Sequence, residues 1–205
     1  MLNHLNRINW IRLFIWYSTI LCTAYFLSIG YIYIDSSTTY EQSWNALSST
    51  IGFITYSIFV LLLYLSPINS FFPNFTTVKR LIPIKRDLGI SVFILTATHF
   101  IIVVASCFAE HGYFPVAALI LHPIIASGFI SFIIFTALAM TSNSISMQLL
   151  GWIKWKKLHK TVYIAQALII IHVLFQGTIG VYIIIFTMIP LIFFQYMRFS
   201  HKSTT

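Results

Sequence analysis

Charged side chains are scarce in this chain of 205 residues: Asp, Glu, Lys and Arg together make up 8%, whereas apolar residues make up 59%. Soluble domains carry about 25% charged residues, so this sequence has too few polar groups to cover a globular surface in water. The composition excludes an ordinary soluble fold, and it predicts a polytopic membrane protein.

Cysteine and nucleotide-binding motifs are scarce or missing as well. Cys22 and Cys107 lie in two different apolar runs. Two such residues build neither a disulfide framework nor a thiolate metal site. The sequence has no G-x-G-x-x-G fingerprint and no P-loop, and few residues follow its last apolar run. We therefore expect that the protein does not take hydride from NAD(P)H by itself.

Long apolar runs are what the chain has instead, and six of them can cross a hydrocarbon core of about 30 Å, each with about 19 to 27 residues. They cover approximately Trp10–Ile34, Ala46–Ser66, Leu88–Ala109, Phe114–Met140, Leu158–Gln176 and Ile179–Met197. Because lipid offers no partner to backbone N–H and C=O groups, and because the runs are solid rather than alternating, they predict helices. The predicted fold is an all-α integral membrane protein, a single bundle of six transmembrane helices over residues 1–205.

The basic residues orient this bundle. With six helices, all 12 Lys and Arg residues fall on the side that holds both termini: Arg7, Arg12, Lys79, Arg80, Lys85, Arg86, Lys154, Lys156, Lys157, Lys160, Arg198 and Lys202. The positive-inside rule makes that side the cytoplasm and predicts a multi-pass protein of a bacterial inner membrane. Topology and anionic lipid explain the net charge of +8, and we expect no nucleic-acid partner.

Histidines inside the runs are the candidates for chemistry. On ideal helices, His99 lies about 17 Å above Leu88 and His172 about 21 Å above Leu158, whereas His159 lies about 20 Å below His172. A single intramembrane imidazole can simply bond a neighbouring carbonyl. Two at matched depth on parallel helices favour a heme, whose iron takes one imidazole on each face. Zinc fits less well, since it needs three or four ligands.

Two other histidine positions carry weaker expectations. An ideal helix turns by about 220° over thirteen residues, so His159 and His172 share no face unless the helix starts or is distorted near His159. His122 is expected inside the fourth helix, about 12 Å from its outer end, where Pro123 can kink it. It is a secondary candidate that could support or ligate the cofactor.

Two stretches resemble a known family. These are IKRDLGISVFILTATH at residues 84–99 and TSNSISMQLLGWIKWKKLHKTVYIAQALIIIH at residues 141–172. They are similar to the ferric-reductase-like transmembrane domain, and most closely to the MsrQ family of heme-binding membrane subunits. The matching residues are Lys85, Arg86, Gly89, His99, Thr141, Ser142, Gly151, Leu158, His159, Tyr163 and His172. The resemblance covers about residues 51–185, within a core of about residues 46–197, and the first helix, about 10–34, is additional.

The resemblance implies roles for these residues. His99 and His172 would ligate a b-type heme toward the outer leaflet. His159, with Lys85 and Arg86, would form a cytoplasm-proximal site for a second heme, a flavin such as FMN, or a quinone. This sequence departs from NADPH-oxidase relatives in one respect: Arg86 stands where those proteins have a second histidine of the third helix.

The expected function is electron transfer across the membrane. Electrons would come from a cytoplasmic flavin reductase or the quinol pool. By resemblance they would pass to a periplasmic, molybdopterin-containing methionine sulfoxide reductase subunit. One alternative is the transmembrane component of a ferric or cupric reductase. Another is a heme-free transporter or proton channel in which His99, His122 and His172 form a relay.

Overall fold

The computed structural model describes residues 2–35, 40–74, 79 and 81–203, and Arg80 lies outside them. Nearly all of the described chain is helical. The helices are α1 (Leu2–Asp35), α2 (Tyr40–Phe71), α3 (Lys85–His111), α4 (Ala118–Leu121), α5 (Pro123–Met140), α6 (Ser144–His159), α7 (Val162–Leu174) and α8 (Thr178–Ser203). A 3-10 turn, Ile82–Ile84, precedes α3.

Six segments of the described chain are long and apolar enough to cross a membrane. They are Ile8–Ile34, Ser43–Phe71, Ile82–His111, Pro123–Met140, Ser144–Leu174 and Ile179–Ser200. Large apolar side chains such as Ile120, Leu149 and Ile153 are more than 80% exposed, 81%, 83% and 82% respectively. Lipid is the medium that accommodates such a surface. The predicted fold class is confirmed: this is an all-helical, multi-pass integral membrane protein.

The fourth span begins later than the sequence predicted. We expected one helix from Phe114, but the chain forms the short helix α4, breaks at His122 and starts α5 at Pro123. Proline disfavours the helical conformation of the residue before it and suits the first helical position. His122 accordingly has an extended backbone (φ −93°, ψ 116°). The prediction that His122 lies inside a helix was wrong, and its side chain is exposed.

The fifth span is interrupted rather than continuous from Leu158 to Gln176. Helix α6 ends at His159, Lys160 and Thr161 form a turn, and α7 ends at Leu174. A second break lies within α6 at Gly151, whose φ of 71° and ψ of 152° suit glycine alone. The helix is therefore interrupted directly after His159, so the two histidines do not lie on one regular helix.

The chain divides into two compact units. The first contains Met1–Phe59 and Pro83–Pro115, and the second contains Val60–Ile82 and Val116–Thr205. The boundary falls within α2. That the whole chain forms a single transmembrane domain stays a prediction.

In the first unit, polar residues join α1 to α3. Arg12 Nε lies 3.3 Å from a carboxylate oxygen of Asp87, and the Trp16 indole N–H donates to the other oxygen at 3.2 Å. Asp87 stands in the first turn of α3, where the helix dipole stabilises a negative charge. One helical turn further along, Thr19 Oγ1 lies 2.9 Å from the Ser91 hydroxyl oxygen. The additional first helix is thus tied to the helix that carries His99.

Further along α1 and α3 from this polar contact, the first unit has an apolar core. Its buried members come from α1, α2 and α3: Phe26, Trp44, Leu47, Ile51 and Ile102. Trp44 is 1% exposed, and its ring meets that of Tyr33 edge to face at 5.7 Å. This core holds α2 against α3 in the region where α2 contacts His99.

In the second unit, α7 packs between α5 and α8. At the α7–α8 contact, the Gln195 amide donates to the Gln166 side-chain oxygen at 3.2 Å, and both side chains are buried. Gln166 in turn lies 3.9 Å from the sulfur of Met188. The Tyr64 hydroxyl, in the second half of α2, donates to the Thr187 carbonyl at 3.0 Å. Paired amides and hydroxyls of this kind satisfy polar atoms where no water is available.

Replacing Asp87 with Ala should destabilise the protein, because the Arg12 charge and the Trp16 N–H lose their shared partner. We expect a loss of roughly 1–3 kcal/mol, the cost of removing a hydrogen-bonded charged partner. Thermal unfolding in detergent measures it as a lower melting temperature. Glu110→Ala is the control. In the described part of the chain, the ion pair of Glu110 is a 3.8 Å contact with its exposed neighbour His111. An equal melting temperature for Asp87→Ala and wild type would contradict the role given to Asp87.

Candidate functional site

His99 lies on α3 in the first unit, and its ring packs over Gly52 of α2. The ring nitrogen Nδ1 is 3.0 Å from the carbonyl oxygen of Ser48, one turn before Gly52. A carbonyl oxygen only accepts hydrogen bonds, so Nδ1 carries the proton and donates. Nε2 is then the nitrogen with the lone pair.

His172 lies on α7 in the second unit, in a matching arrangement. Its ring packs over Gly128 of α5, and Nδ1 lies 2.8 Å from the carbonyl oxygen of Ile124, again one turn before the glycine. The side-chain amide nitrogen of Gln176 lies 3.0 Å from Nε2. Because an amide N–H donates, this contact also requires Nε2 to be unprotonated. The Gln176 contact thus agrees with the tautomer that the Ile124 carbonyl assigns to His172.

The state of these two imidazoles is the one that metal ligation needs. A ligating histidine donates its other ring N–H to a carbonyl or carboxylate, which sets the ring orientation and leaves the second nitrogen for the metal. Both histidines are half-buried. No cluster of three or more His, Cys, Asp and Glu side chains occurs in the described part of the chain.

His159, at the end of α6, is held by different contacts. Its Nε2 lies 3.3 Å from the hydroxyl oxygen of Thr141, and that hydroxyl donates to the Ala137 carbonyl at 2.7 Å. The ring stacks on Trp155 at a centroid distance of 4.0 Å. The Trp155 indole N–H donates to the Thr141 carbonyl at 2.9 Å. His159 therefore uses Nε2 in a side-chain hydrogen bond at the end of α5, and one ring face in an aromatic stack.

The stack extends by one more aromatic ring. Trp152 lies on Trp155 at 5.5 Å with an angle of 17° between the ring planes. The Lys156 ammonium lies 5.7 Å from the centre of the Trp152 ring. Trp152 is 58% exposed, so the outer end of this row is open to its surroundings. A row of nearly parallel rings next to the Lys156 ammonium group is suited to contact a planar, electron-accepting ring system.

The basic pair lies on a different unit from His159. Lys85 and Arg86 occupy the first two positions of α3 in the first unit; Lys85 is half-buried and Arg86 is exposed. His122, His159 and His172 all belong to the second unit. Within that unit, His122 precedes by two residues the Ile124 carbonyl that binds His172.

Sequence reasoning did not single out the glycines under the two rings or Gln176. Gly52 and Gly128 each stand in an apolar helix, where a small residue permits close approach of a neighbour. That signal exists in the sequence, but it does not say which side chain approaches. Only the fold supplies that information.

Comparison with known proteins gives a family. Residues 51–170, more than half of the 205, match the family described as "Ferric reductase like transmembrane component". The chain is also 33% identical over 100 residues to the protein-methionine-sulfoxide reductase heme-binding subunit MsrQ of Ralstonia nicotianae. That match covers 47% of this chain and 45% of MsrQ.

Magnetosome proteins are similar over a longer stretch. The chain is 24% identical over 140 residues to MamZ of Paramagnetospirillum magneticum, which covers 68% of this chain and 21% of MamZ. MamZ of Magnetospirillum gryphiswaldense is 22% identical over the same length. The chain thus spans a fifth to under half of these relatives, and no solved structure matches it. The membrane spans and the match over residues 51–170 together show that this chain belongs to the ferric reductase-like transmembrane family.

Proposed function

We propose that this protein is a b-type heme electron-transfer component of a membrane oxidoreductase, with His99 and His172 as the axial ligands. The observation that carries the proposal is the matched state of the two imidazoles. Each donates Nδ1–H to a helix carbonyl. Membership of the family and the heme-binding name of the Ralstonia relative support heme as the cofactor.

The residues fit this cofactor. Heme iron accepts two neutral imidazole nitrogens, and when bound it supplies one-electron exchange. The hydrogen bonds to the Ser48 and Ile124 carbonyls hold each ring in one orientation and one tautomer. Nε2 of each histidine is therefore already the ligating nitrogen before heme binds. The Gln176 amide, now 3.0 Å from His172 Nε2, has to turn away for that nitrogen to act as a ligand. Its place in the exposed turn after α7 leaves room for this movement.

At the cytoplasmic end we propose a flavin or quinone site that includes His159, Lys85 and Arg86. The contacts of His159 favour these cofactors over a second heme. A metal at Nε2 would break the contact with Thr141, whereas a planar organic ring can use the Trp152–Trp155 stack without disturbing it. Lysine and arginine suit an anionic flavin phosphate or a reduced ring. His122 is exposed at the start of α5, and we assign it no ligand role.

The likeness to MsrQ supports a proposal for the donor and the acceptor. Electrons would enter from a cytoplasmic flavin reductase or the quinol pool and leave to a periplasmic, molybdopterin-containing methionine sulfoxide reductase subunit. The family description favours a second candidate, direct reduction of ferric or cupric ions at the outer face. Family membership gives no support to the heme-free transporter or proton channel.

Histidine substitutions test the heme assignment. His99→Ala and His172→Ala should each abolish the six-coordinate, low-spin heme spectrum of purified protein, because either change removes one axial ligand. His159→Ala should keep that spectrum and slow reduction of the heme by a flavin or quinol donor. His111→Ala is the control, since His111 is the last residue of α3 and its side chain is exposed. A wild-type preparation from heme-replete cells without a Soret band would refute the proposal. Equal loss of heme in all four variants would refute the ligand assignment.

The acceptor can be identified by oxidation kinetics. Reduced wild-type protein in vesicles should be fully oxidised by a catalytic amount of a periplasmic methionine sulfoxide reductase subunit only when methionine sulfoxide is present to take the electrons from that subunit. Stopped-flow absorbance of the heme measures the rate. Faster oxidation by a ferric or cupric chelate alone, at equal concentration, would instead establish the second candidate.

The basic residues predict the orientation. Single cysteines introduced at Lys157 and at Tyr113, in a background without Cys22 and Cys107, should differ in labelling by a membrane-impermeant maleimide. Tyr113 is predicted on the side of the membrane opposite to the Lys and Arg residues. Its cysteine should react in bacterial cells that have lost the outer membrane but keep an intact inner membrane. Lys157 should react only after the inner membrane is opened. The reverse labelling pattern would contradict the predicted orientation, and with it the proposed direction of electron transfer from the cytoplasm outward.

A further inference from the structure

A helix carbonyl paired with a glycine four residues later holds each of the two central histidines. In the first unit the pair is Ser48 with Gly52, and in the second it is Ile124 with Gly128. In an α-helix the carbonyl of one residue already accepts the N–H four residues later. A carbonyl oxygen has two lone pairs, so it can accept the imidazole N–H as well.

The space for that second hydrogen bond exists only because the later residue is glycine. A Cβ at Gly128 would lie 2.9 Å from His172 Nδ1 and 3.1 Å from Cε1. A Cβ at Gly52 would lie 3.3 Å from His99 Cε1 and 3.5 Å from Nδ1. The 2.9 Å distance at Gly128 is one that real Cβ atoms essentially never show, and the 3.3 Å distance at Gly52 is a tight contact. A side chain at Gly128 would force the His172 ring to shift from the carbonyl that anchors it, whereas one at Gly52 would require the His99 ring to move by only a few tenths of an ångström.

We infer that Gly52 and Gly128 are positioning residues that hold His99 and His172 in the orientation and tautomer needed to ligate the heme. The inference rests on the proposed function, and it adds residues that the resemblance did not mark. Each glycine admits one imidazole to one carbonyl. Nδ1 is then committed to donation, and Nε2 is left to the iron. The contacts are tighter at Gly128, so His172 depends on its glycine more strongly than His99 does.

A glycine can also serve helix packing alone, and Gly30 provides the comparison. It stands in α1 against the core of the first unit, and a Cβ there would lie 3.7 Å from the Trp44 ring, which is an ordinary contact. Gly30→Ala therefore makes the same chemical change in a membrane helix and touches no histidine. It is the matched control.

The test compares heme binding by wild type, Gly128→Ala, Gly52→Ala and Gly30→Ala, each purified in detergent. Titration with hemin gives the affinity, and absorption and electron paramagnetic resonance spectra give the spin state. Loss of a ligand's supporting partner lowers metal affinity by about 10- to 100-fold, and we expect Gly128→Ala to fall in that range. Gly52→Ala should show a smaller loss, and Gly30→Ala should match wild type.

Adding free imidazole distinguishes two causes of a lost low-spin spectrum, a displaced histidine ligand and a damaged fold. In Gly128→Ala, added imidazole should occupy the iron coordination position that His172 no longer reaches and restore the low-spin spectrum. Gly128→Ser should behave like Gly128→Ala, because the obstruction is the Cβ itself. If Gly128→Ala does not fold, Gly52→Ala decides by the same two measurements.

Three results would overturn the inference. The first is wild-type heme affinity and spectrum in both Gly128→Ala and Gly52→Ala. The second is a loss in Gly30→Ala as large as that in Gly128→Ala. The third is a high-spin product that imidazole does not convert in either variant. Each of these leaves heme binding by the wild type intact, whereas wild type that binds no hemin would refute the proposed function itself.

Discussion

A polar side chain within a membrane span has to find its hydrogen-bond partner in the protein, because the hydrocarbon core offers no water. His99 and His172 meet this requirement through the carbonyls of Ser48 and Ile124, and His159 meets it through Thr141. Each of these bonds fixes the orientation of an imidazole ring. The same constraint that keeps the helices intact therefore also sets the chemistry that the histidines can perform.

The constraint acts on the rest of the bundle as well. The buried amides of Gln166 and Gln195 bond each other between α7 and α8, and Asp87 is shared by Arg12 and Trp16 between α1 and α3. Such contacts specify which helices pair, since apolar faces alone are equally satisfied by lipid tails. The first helix, additional to the family core, is tied in this way to the helix of His99.

Interruptions of the helices decide where the remaining candidate residues stand. Pro123 breaks the fourth span, so that α5 starts at Pro123 and His122 stays exposed before it. The turn at Lys160 and Thr161 separates His159 from the helix of His172. Next to this turn, Trp155 covers one face of His159. The result is two kinds of histidine: two anchored to carbonyls through Nδ1, and one bound through Nε2 and stacked on an indole.

The sequence by itself determined the class of the protein and supplied the candidate histidines, since apolar runs, charge bias and histidine positions are local properties of the chain. It also identified the ferric reductase-like transmembrane family, which the match over residues 51–170 confirms, whereas the narrower resemblance to MsrQ stays a prediction. It did not determine the break at Gly151 or the start of α5, because a solid apolar run looks the same whether one helix or two occupy it. Nor could it identify Gly52 and Gly128 as the partners of the histidines. Those residues are 47 and 44 positions away from the rings they contact, by subtraction of the residue numbers. Only tertiary packing brings a glycine of one helix under a histidine of another, and only that approach assigns the proton to Nδ1.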